Sequence, residues 1–278
     1  MKREVTVNTT LEDENNKKRG KTVRELFDVY SLYQLLSSYL VAKAIVEIRR
    51  EKQKALEEEA QKLMPIPNIP EDSLFMELYK KFASLVNYNV NMCCIAQIAI
   101  EDIYKYDFKN TESITTVQGE TEHLNEMVGK NFKKLKKISL FEHTLDVFEE
   151  AMKKGEVQRR TLQIGIPILA SLIHDFGKAK EIRIKLLGSV AGARGAGYRP
   201  HAEVSGLYVE ELLVHELYKR YKLSPVETLE TLEMVVKNHH TTSKKLSQDK
   251  VIQFVKECDI LARKKELRKI AMEEQEED

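Results

Sequence analysis

The sequence of 278 residues has no tryptophan, three cysteines, six prolines and eleven glycines. So little glycine and proline excludes a collagen-like chain and a low-complexity chain. Three cysteines, of which Cys93 and Cys94 are adjacent, cannot form a disulfide framework, and they indicate a reducing compartment. The first residues are charged and have no apolar core, so the sequence predicts no signal peptide and a cytoplasmic protein.

A long hydrophobic run and an excess of one charge are also missing. The longest uncharged stretch, residues 82–100, contains three asparagines, a serine and a glutamine, which is too polar for a membrane span. Lys and Arg number 45 against 44 Asp and Glu, for a net charge of +1. Nucleic acid therefore stays possible as a partner but is not indicated by charge, and no membrane span is predicted.

Helical periodicity is present along most of the chain, and period-2 alternation typical of strands is absent. The predicted fold class is all-α. A long helical pattern runs from Lys21 to about Lys62 and ends before three prolines at positions 65, 67 and 70. A polar stretch at 109–120 predicts a boundary between an N-terminal helical region, 1–120, and a helical domain, 121–272. Residues 1–21 are predicted to be disordered, and 273–278 form an acidic tail.

Most of the histidines lie near predicted helix ends in the C-terminal half, together with two aspartates. A single histidine near a helix C-terminus, or a single aspartate beside a core position, has an ordinary structural explanation. The whole set, spread over consecutive helices, is typical of a metal cage with nitrogen and oxygen ligands. Such ligands favour Fe, Mn, Mg, Co, Ni or Zn. The candidates are His143, His174, Asp175, His201, His239, His240 and Asp259.

The order of these residues resembles the H…HD…D signature of the HD-domain metal-dependent phosphohydrolases. The resemblance covers about 130–270 and rests on His143, the His174-Asp175 pair and Asp259. It implies an HD-domain helical bundle. The additional histidines His201 and His240 resemble the branch of that family with two divalent metal ions.

The resemblance also implies roles for the ligands. His143, His174 and Asp259 would hold one ion, His201 and His240 would hold the other, and Asp175 would bridge both. The adjacent His239 is an alternative to His240, which is favoured because NHHTTS resembles a family motif. The implied reaction is cleavage of a phosphate ester or nucleotide by a metal-bridged hydroxide.

Basic residues after the His-Asp pair suit a phosphorylated small molecule or nucleotide. Asp175 and Lys178 are the candidate catalytic residues. Lys178 is also a candidate substrate-binding residue, together with Arg194 and Arg199. For Lys178 the competing interpretation is a solvated lysine at a helix end. The glycine-rich segment that holds both arginines could equally be a surface connection.

Two other functions fit the same motif. One is a di-iron oxygenase of the HD fold, and the other is a non-catalytic module that binds nucleotide or DNA, as in conjugation-associated proteins. Cyclic-di-GMP hydrolysis is disfavoured, because Ser139 stands where the three-metal members carry glutamate. Residues 1–120 contain no set of metal ligands or nucleophiles, so we expect them to modulate or dock rather than catalyse. The sequence does not set the oligomeric state.

Overall fold

A computed structural model describes residues 14–114, 131–158, 164–188, 199–241 and 243–276. Regular structure in these ranges is helical, and the only pairing of extended backbone among them is one isolated bridge between Glu112 and Ser139. The prediction of an all-α fold is confirmed.

Eleven α-helices are described, in chain order. They are α1 Glu14–Leu63, α2 Leu74–Leu85, α3 Val90–Lys105, α4 Phe132–Leu135, α5 Leu140–Gln158, α6 Gly165–Ile173, α7 Lys180–Leu187, α8 His201–Leu207, α9 Val214–Tyr221, α10 Val226–Asn238 and α11 Lys250–Glu276. A π-helical segment, Tyr208–Leu213, joins α8 to α9, and 3₁₀ turns cover Phe176–Lys178 and Leu246–Gln248. No helix within the described ranges is long and apolar enough to cross a membrane.

The chain divides into two compact units between Glu59 and Ala60. The boundary at 109–120 stays a prediction. The described part of the first unit is the portion of α1 from Glu14 to Glu59. Residues 14–21, which were predicted to be disordered, belong to this helix. Residues 1–13 of that prediction lie outside the described ranges. Three prolines between positions 64 and 71 fix the end of α1, because proline lacks the N–H that a helix requires.

The second unit has one core, to which α2 and α3 contribute together with the later helices. Phe75 of α2 contacts Phe141 and Phe148 of α5, with ring centroids 5.3 Å and 6.4 Å apart. Asp102 of α3 is buried and accepts a 2.8 Å hydrogen bond from Tyr208. The helices before residue 109 therefore cover the same core as those after it.

Gly177 allows the turn after α6 to lie directly against α8. A β-carbon at Gly177 would stand 2.1 Å from the carbonyl oxygen of His201, so no other residue fits without moving the backbone. The Gly177 N–H donates a 2.7 Å hydrogen bond to the Ser205 hydroxyl. This close packing brings the residues that follow α6 next to the first residue of α8.

We predict that a chain truncated to begin at Ala60 folds, whereas one that begins at Glu120 does not. The shorter chain loses Phe75, Phe82 and the apolar face of α3, all of them buried. Truncating one buried aromatic side chain costs about 3–5 kcal/mol, and a domain is stable by only about 5–15 kcal/mol. Circular dichroism with thermal unfolding measures both. A cooperative transition in the chain from Glu120 would contradict the division.

Candidate metal centre

Five helices bring every described histidine and aspartate of the predicted set to one buried place. His143 lies in the first turns of α5, His174 and Asp175 follow α6, and His201 opens α8. His239 and His240 follow α10, and Asp259 lies within α11. Most of these side chains are at most 4% exposed, and they include His143, His174, Asp175, His201 and His239.

The two oxygens of the Asp175 carboxylate face different histidines. Oδ2 lies 3.4 Å from Nε2 of His143 and 3.4 Å from Nε2 of His174. Oδ1 lies 3.2 Å from Nε2 of His201 and 3.9 Å from Nε2 of His239. The carboxylate therefore separates a first set of ligands from a second set.

The two sets of candidate ligands share Asp175 and differ in composition. The first set, His143, His174 and Asp175, has ligand atoms within 4.8 Å of one another. In the second set, both His239 and His240 lie within the same distance of Asp175 and His201. The sequence posed His239 and His240 as alternative ligands. In the structure both lie close enough to Asp175 and His201 to bind the same ion. Asp259 belongs to the first side, with Oδ1 3.3 Å from Nε2 of His143.

Helix ends fix the orientation of two of the imidazoles. Nδ1 of His174 lies 2.8 Å from the carbonyl oxygen of Ser171, and Nδ1 of His239 lies 2.6 Å from that of Val236. These carbonyls belong to the last turns of α6 and α10, where helical acceptors are left free. Because a carbonyl only accepts, Nδ1 carries the proton, and the Nε2 lone pair is directed at Asp175.

His143 lies inside a helix and is oriented by a carboxylate from another helix. Its Nδ1 donates to Oε1 of Glu266 at 2.7 Å, and Arg263 donates to Oε2 of the same carboxylate at 2.9 Å. Arg263 also donates to the Ser113 hydroxyl at 2.9 Å. These residues were missed in the sequence. The available signal was that Asp259, Arg263 and Glu266 follow the i, i+4, i+7 spacing of one helix face.

Lys178 is held inside the site, which excludes the solvated-lysine interpretation. Its side chain is 8% exposed, and Nζ donates to Oδ2 of Asp175 at 2.6 Å and to the Ser113 carbonyl at 2.8 Å. Arg199 is exposed, and its carbonyl oxygen accepts a 2.7 Å hydrogen bond from Arg183. Arg194 lies outside the described residues, so its predicted role in substrate binding stays a prediction, as does that of Arg199.

The first set carries negative charge that favours a protonated His143. Burial and Arg263 lower the pKa of this imidazole. The carboxylates of Glu266, Asp175 and Asp259 outweigh both and raise that pKa to about 10. Burial also opposes ionisation of Asp259, but the close contact with the positively charged His143 holds the pKa of Asp259 well below the usual range.

In the second set the histidines lie close together, and burial and their mutual repulsion favour neutral imidazoles. Burial, followed by the positive charge of His201, lowers the pKa of His240 to about 3. Burial and the charges of His240 and His174 also hold the pKa of His239 well below its usual value. His239 and His240 are therefore neutral at pH 7, the form in which imidazole binds a metal ion.

Several buried ligand atoms in the described part of the chain make no hydrogen bond. They are Nε2 of His143, His174 and His239, and Oδ1 of Asp175 and Asp259. A buried polar atom left in this state costs about 1–3 kcal/mol. A cation at the centre would satisfy acceptors from several residues together, so the arrangement fits a metal ion bound by nitrogen and oxygen. The centre approaches solvent at Asp259, whose side chain is 25% exposed, and at the half-buried His240.

Comparison of the chain with protein-family models, with curated proteins and with solved structures gave no match in any of the three.

We predict that Glu266→Ala lowers affinity for Mn²⁺ by about 10- to 100-fold, because His143 loses the partner that orients its ring. The substitution also leaves Arg263 buried without this carboxylate, so the temperature midpoint of unfolding should fall. Titration calorimetry and thermal unfolding measure the two effects. Glu273→Ala, at an exposed position of α11, is the matched control and should change neither. Unchanged metal affinity in Glu266→Ala would reject the orienting role.

We also predict that metal binding near pH 7 releases about one proton per chain, and that His143 supplies it. Its pKa of about 10 makes the ring cationic at that pH, and a ligand imidazole must lose the proton from Nε2. His240, with a pKa of about 3, has none to release. Calorimetry with Mn²⁺ in buffers of different ionisation enthalpy counts the protons. The release should disappear in His143→Gln, and its persistence there would contradict the assignment.

Proposed function

We propose that the protein is a metal-dependent phosphohydrolase that cleaves a phosphate ester or nucleotide at a centre of two divalent ions. The observation that carries the proposal is the Asp175 carboxylate, which turns one oxygen to each of two histidine sets. A single ion would need only one of these sets. Two sets around one carboxylate suit a pair of ions bridged by it.

The donor set of each proposed site follows from the contacts. His143, His174 and Asp259 would hold one ion, and His201, His239 and His240 the other, with Asp175 between them. Cys258 precedes Asp259 but is fully buried, and burial raises the pKa of its thiol to about 12. A thiolate ligand is therefore not expected, and Fe, Mn, Mg, Co, Ni and Zn remain the candidate ions.

Such a pair of ions supplies hydroxide near neutral pH and offsets the charge that develops on a phosphoryl group. The chain's own contribution is to keep Asp175 ionised. Burial disfavours its charge, but His174 and Lys178 outweigh burial and hold its pKa well below the usual range. The Lys178 ammonium has three donors, of which the Asp175 and Ser113 contacts use two. We assign the third to a phosphoryl oxygen of the substrate.

Positive charge near the exposed edge of the centre supports an anionic substrate. Lys244 and Lys245 are exposed and follow His240 closely in the chain. Lys256 precedes Asp259 by one turn of α11 and donates to the Thr241 carbonyl at 2.6 Å. A phosphate-bearing substrate that approached past His240 and Asp259 would meet these lysines first.

We predict turnover without oxygen when Mn²⁺ is the only added metal. Hydrolysis needs cations near the substrate oxygens but no change of redox state, so Mn²⁺ should support it. Anaerobic assays of a panel of phosphate esters and nucleotides, with detection of phosphate or nucleoside monophosphate, test the proposal. A strict requirement for iron and O₂ would replace it by the di-iron oxygenase, and absence of any turnover with bound metal would favour a binding module.

Two matched variants distinguish an effect on the metal site from a general loss of stability. Asp175→Asn should remove turnover and lower the metal content measured by elemental analysis, because the bridging charge is gone. Asp102→Asn changes an aspartate that is equally buried and also contacts a lysine, but lies outside the ligand sets. It should lower stability and leave the metal content unchanged.

A further inference from the structure

The two ligand sets differ in the kind of donor that they offer. In the second set, three imidazoles accompany one carboxylate oxygen, Oδ1 of Asp175. In the first set, two imidazoles accompany Oδ2 of Asp175, and Asp259 adds a second carboxylate beside His143. The proposed function needs two divalent ions, but it does not require them to be the same ion.

The donors of the second set converge on one point. Nε2 of His201 lies 3.0 Å from Nε2 of His240 and 3.2 Å from Oδ1 of Asp175. Nε2 of His239 lies 3.9 Å from the same oxygen. Around a four-coordinate ion with bonds of about 2.0–2.2 Å, neighbouring donors stand about 3.3–3.6 Å apart, and the observed separations lie on both sides of that range. A compact site of four donors, most of them imidazole nitrogens, favours Zn²⁺ over Mn²⁺.

In the first set, positive side chains accompany the carboxylates. Nζ of Lys178 lies 2.6 Å from Oδ2 of Asp175. Nε of Arg263 lies 3.8 Å from Oδ1 of Asp259. The carboxylates of Asp259 and Glu266 offset these two positive charges, so net charge does not distinguish the two sets.

Donor type and the contacts of Asp175 do distinguish them. A set with two carboxylates suits Mn²⁺ or Mg²⁺ better than a set with one. Oδ2, which faces the first set, already accepts a hydrogen bond from Lys178. Oδ1, which faces the second set, makes no hydrogen bond to any described residue. An ion in the second set would therefore have the stronger hold on the shared carboxylate.

We propose that the centre binds two different ions, with a nitrogen-preferring ion such as Zn²⁺ in the second set and an oxygen-preferring ion such as Mn²⁺ in the first. This inference rests on the two-ion centre of the proposed function and adds which ion each set selects. Zn²⁺ generally binds protein ligands more tightly than Mn²⁺, and three imidazoles increase its advantage. The second set fills first and keeps its ion, and the first set exchanges its ion with the solution. The supply of Mn²⁺ then decides whether the centre is complete.

Electron paramagnetic resonance of the full-length protein tests the selection. Protein stripped with a chelator is dialysed to equilibrium with one equivalent of Zn²⁺ and an excess of Mn²⁺. If Zn²⁺ enters only the second set, every chain holds a single Mn²⁺, and the spectrum shows the hyperfine signal of an uncoupled ion. If Zn²⁺ spreads over both sets, some chains keep two neighbouring Mn²⁺ ions. The spectrum of such a coupled pair would overturn the proposal.

Two variants show which set holds each ion. His240→Asn shortens a half-buried ligand of the second set and should weaken Zn²⁺ binding at least about 100-fold, since loss of an outer partner alone costs about 10- to 100-fold. It should keep one Mn²⁺. Asp259→Asn removes a carboxylate of the first set and should lose Mn²⁺ while it keeps Zn²⁺. His215→Asn changes an exposed histidine outside both sets and is the matched control, with the wild-type content of both ions.

Elemental analysis after the same dialysis gives the content of each ion, and thermal unfolding of the metal-free variants shows that they fold. Loss of Zn²⁺ from Asp259→Asn together with its retention in His240→Asn would reverse the assignment and overturn the proposal. These measurements read bound metal, not turnover. A wild-type chain that binds two Mn²⁺ but distributes Zn²⁺ over both sets would contradict this inference alone. A chain that binds at most one ion would contradict the proposed function as well.

Discussion

A buried, ionised carboxylate is the constraint around which the second unit is built. Asp175 is 2% exposed, and an isolated charge at such a position costs several kcal/mol. Its charge is tolerated because the Lys178 ammonium lies 2.6 Å from Oδ2 and the protonated His143 imidazole lies 3.4 Å from the same oxygen. Each of these groups comes from the end or first turns of a different segment. The helices must therefore converge, and Gly177 lets two of them approach closely enough.

The imidazoles are oriented by two kinds of hydrogen bond, to a backbone carbonyl or to a carboxylate. The position of each histidine relative to its helix decides which of the two it makes. His174 and His239 follow a helix and donate to free carbonyls of its last turn. His143 lies inside α5, where the nearby carbonyls are already engaged in the helix, so its acceptor has to come from elsewhere. Glu266 of α11 fills that role. The helix that carries Asp259 thereby supports the centre a second time, through a residue that touches no proposed ion.

Periodicity and the ordered histidines were sufficient to predict the all-α class and the residues that meet at the centre. They were insufficient to predict the contacts of the polar segment at 109–120, because polarity alone does not show which residues a segment will meet. Ser113 lies in that segment and accepts from both Lys178 and Arg263. Contacts between residues far apart in the chain do not appear as a periodic pattern in the sequence. Glu266 was closer to being predictable, since it shares a helix face with Asp259.

The ligand atoms without hydrogen bonds have a thermodynamic consequence beyond the chemistry of the site. The unfolded chain exposes the same atoms to water, so their cost falls on the native state alone. Any cation that satisfies them binds the native chain and not the unfolded one, and it stabilises the fold by RT ln(1 + [L]/Kd). The folded fraction then rises and falls with the supply of that cation. The same chain would then unfold at a higher temperature with such a cation than without it.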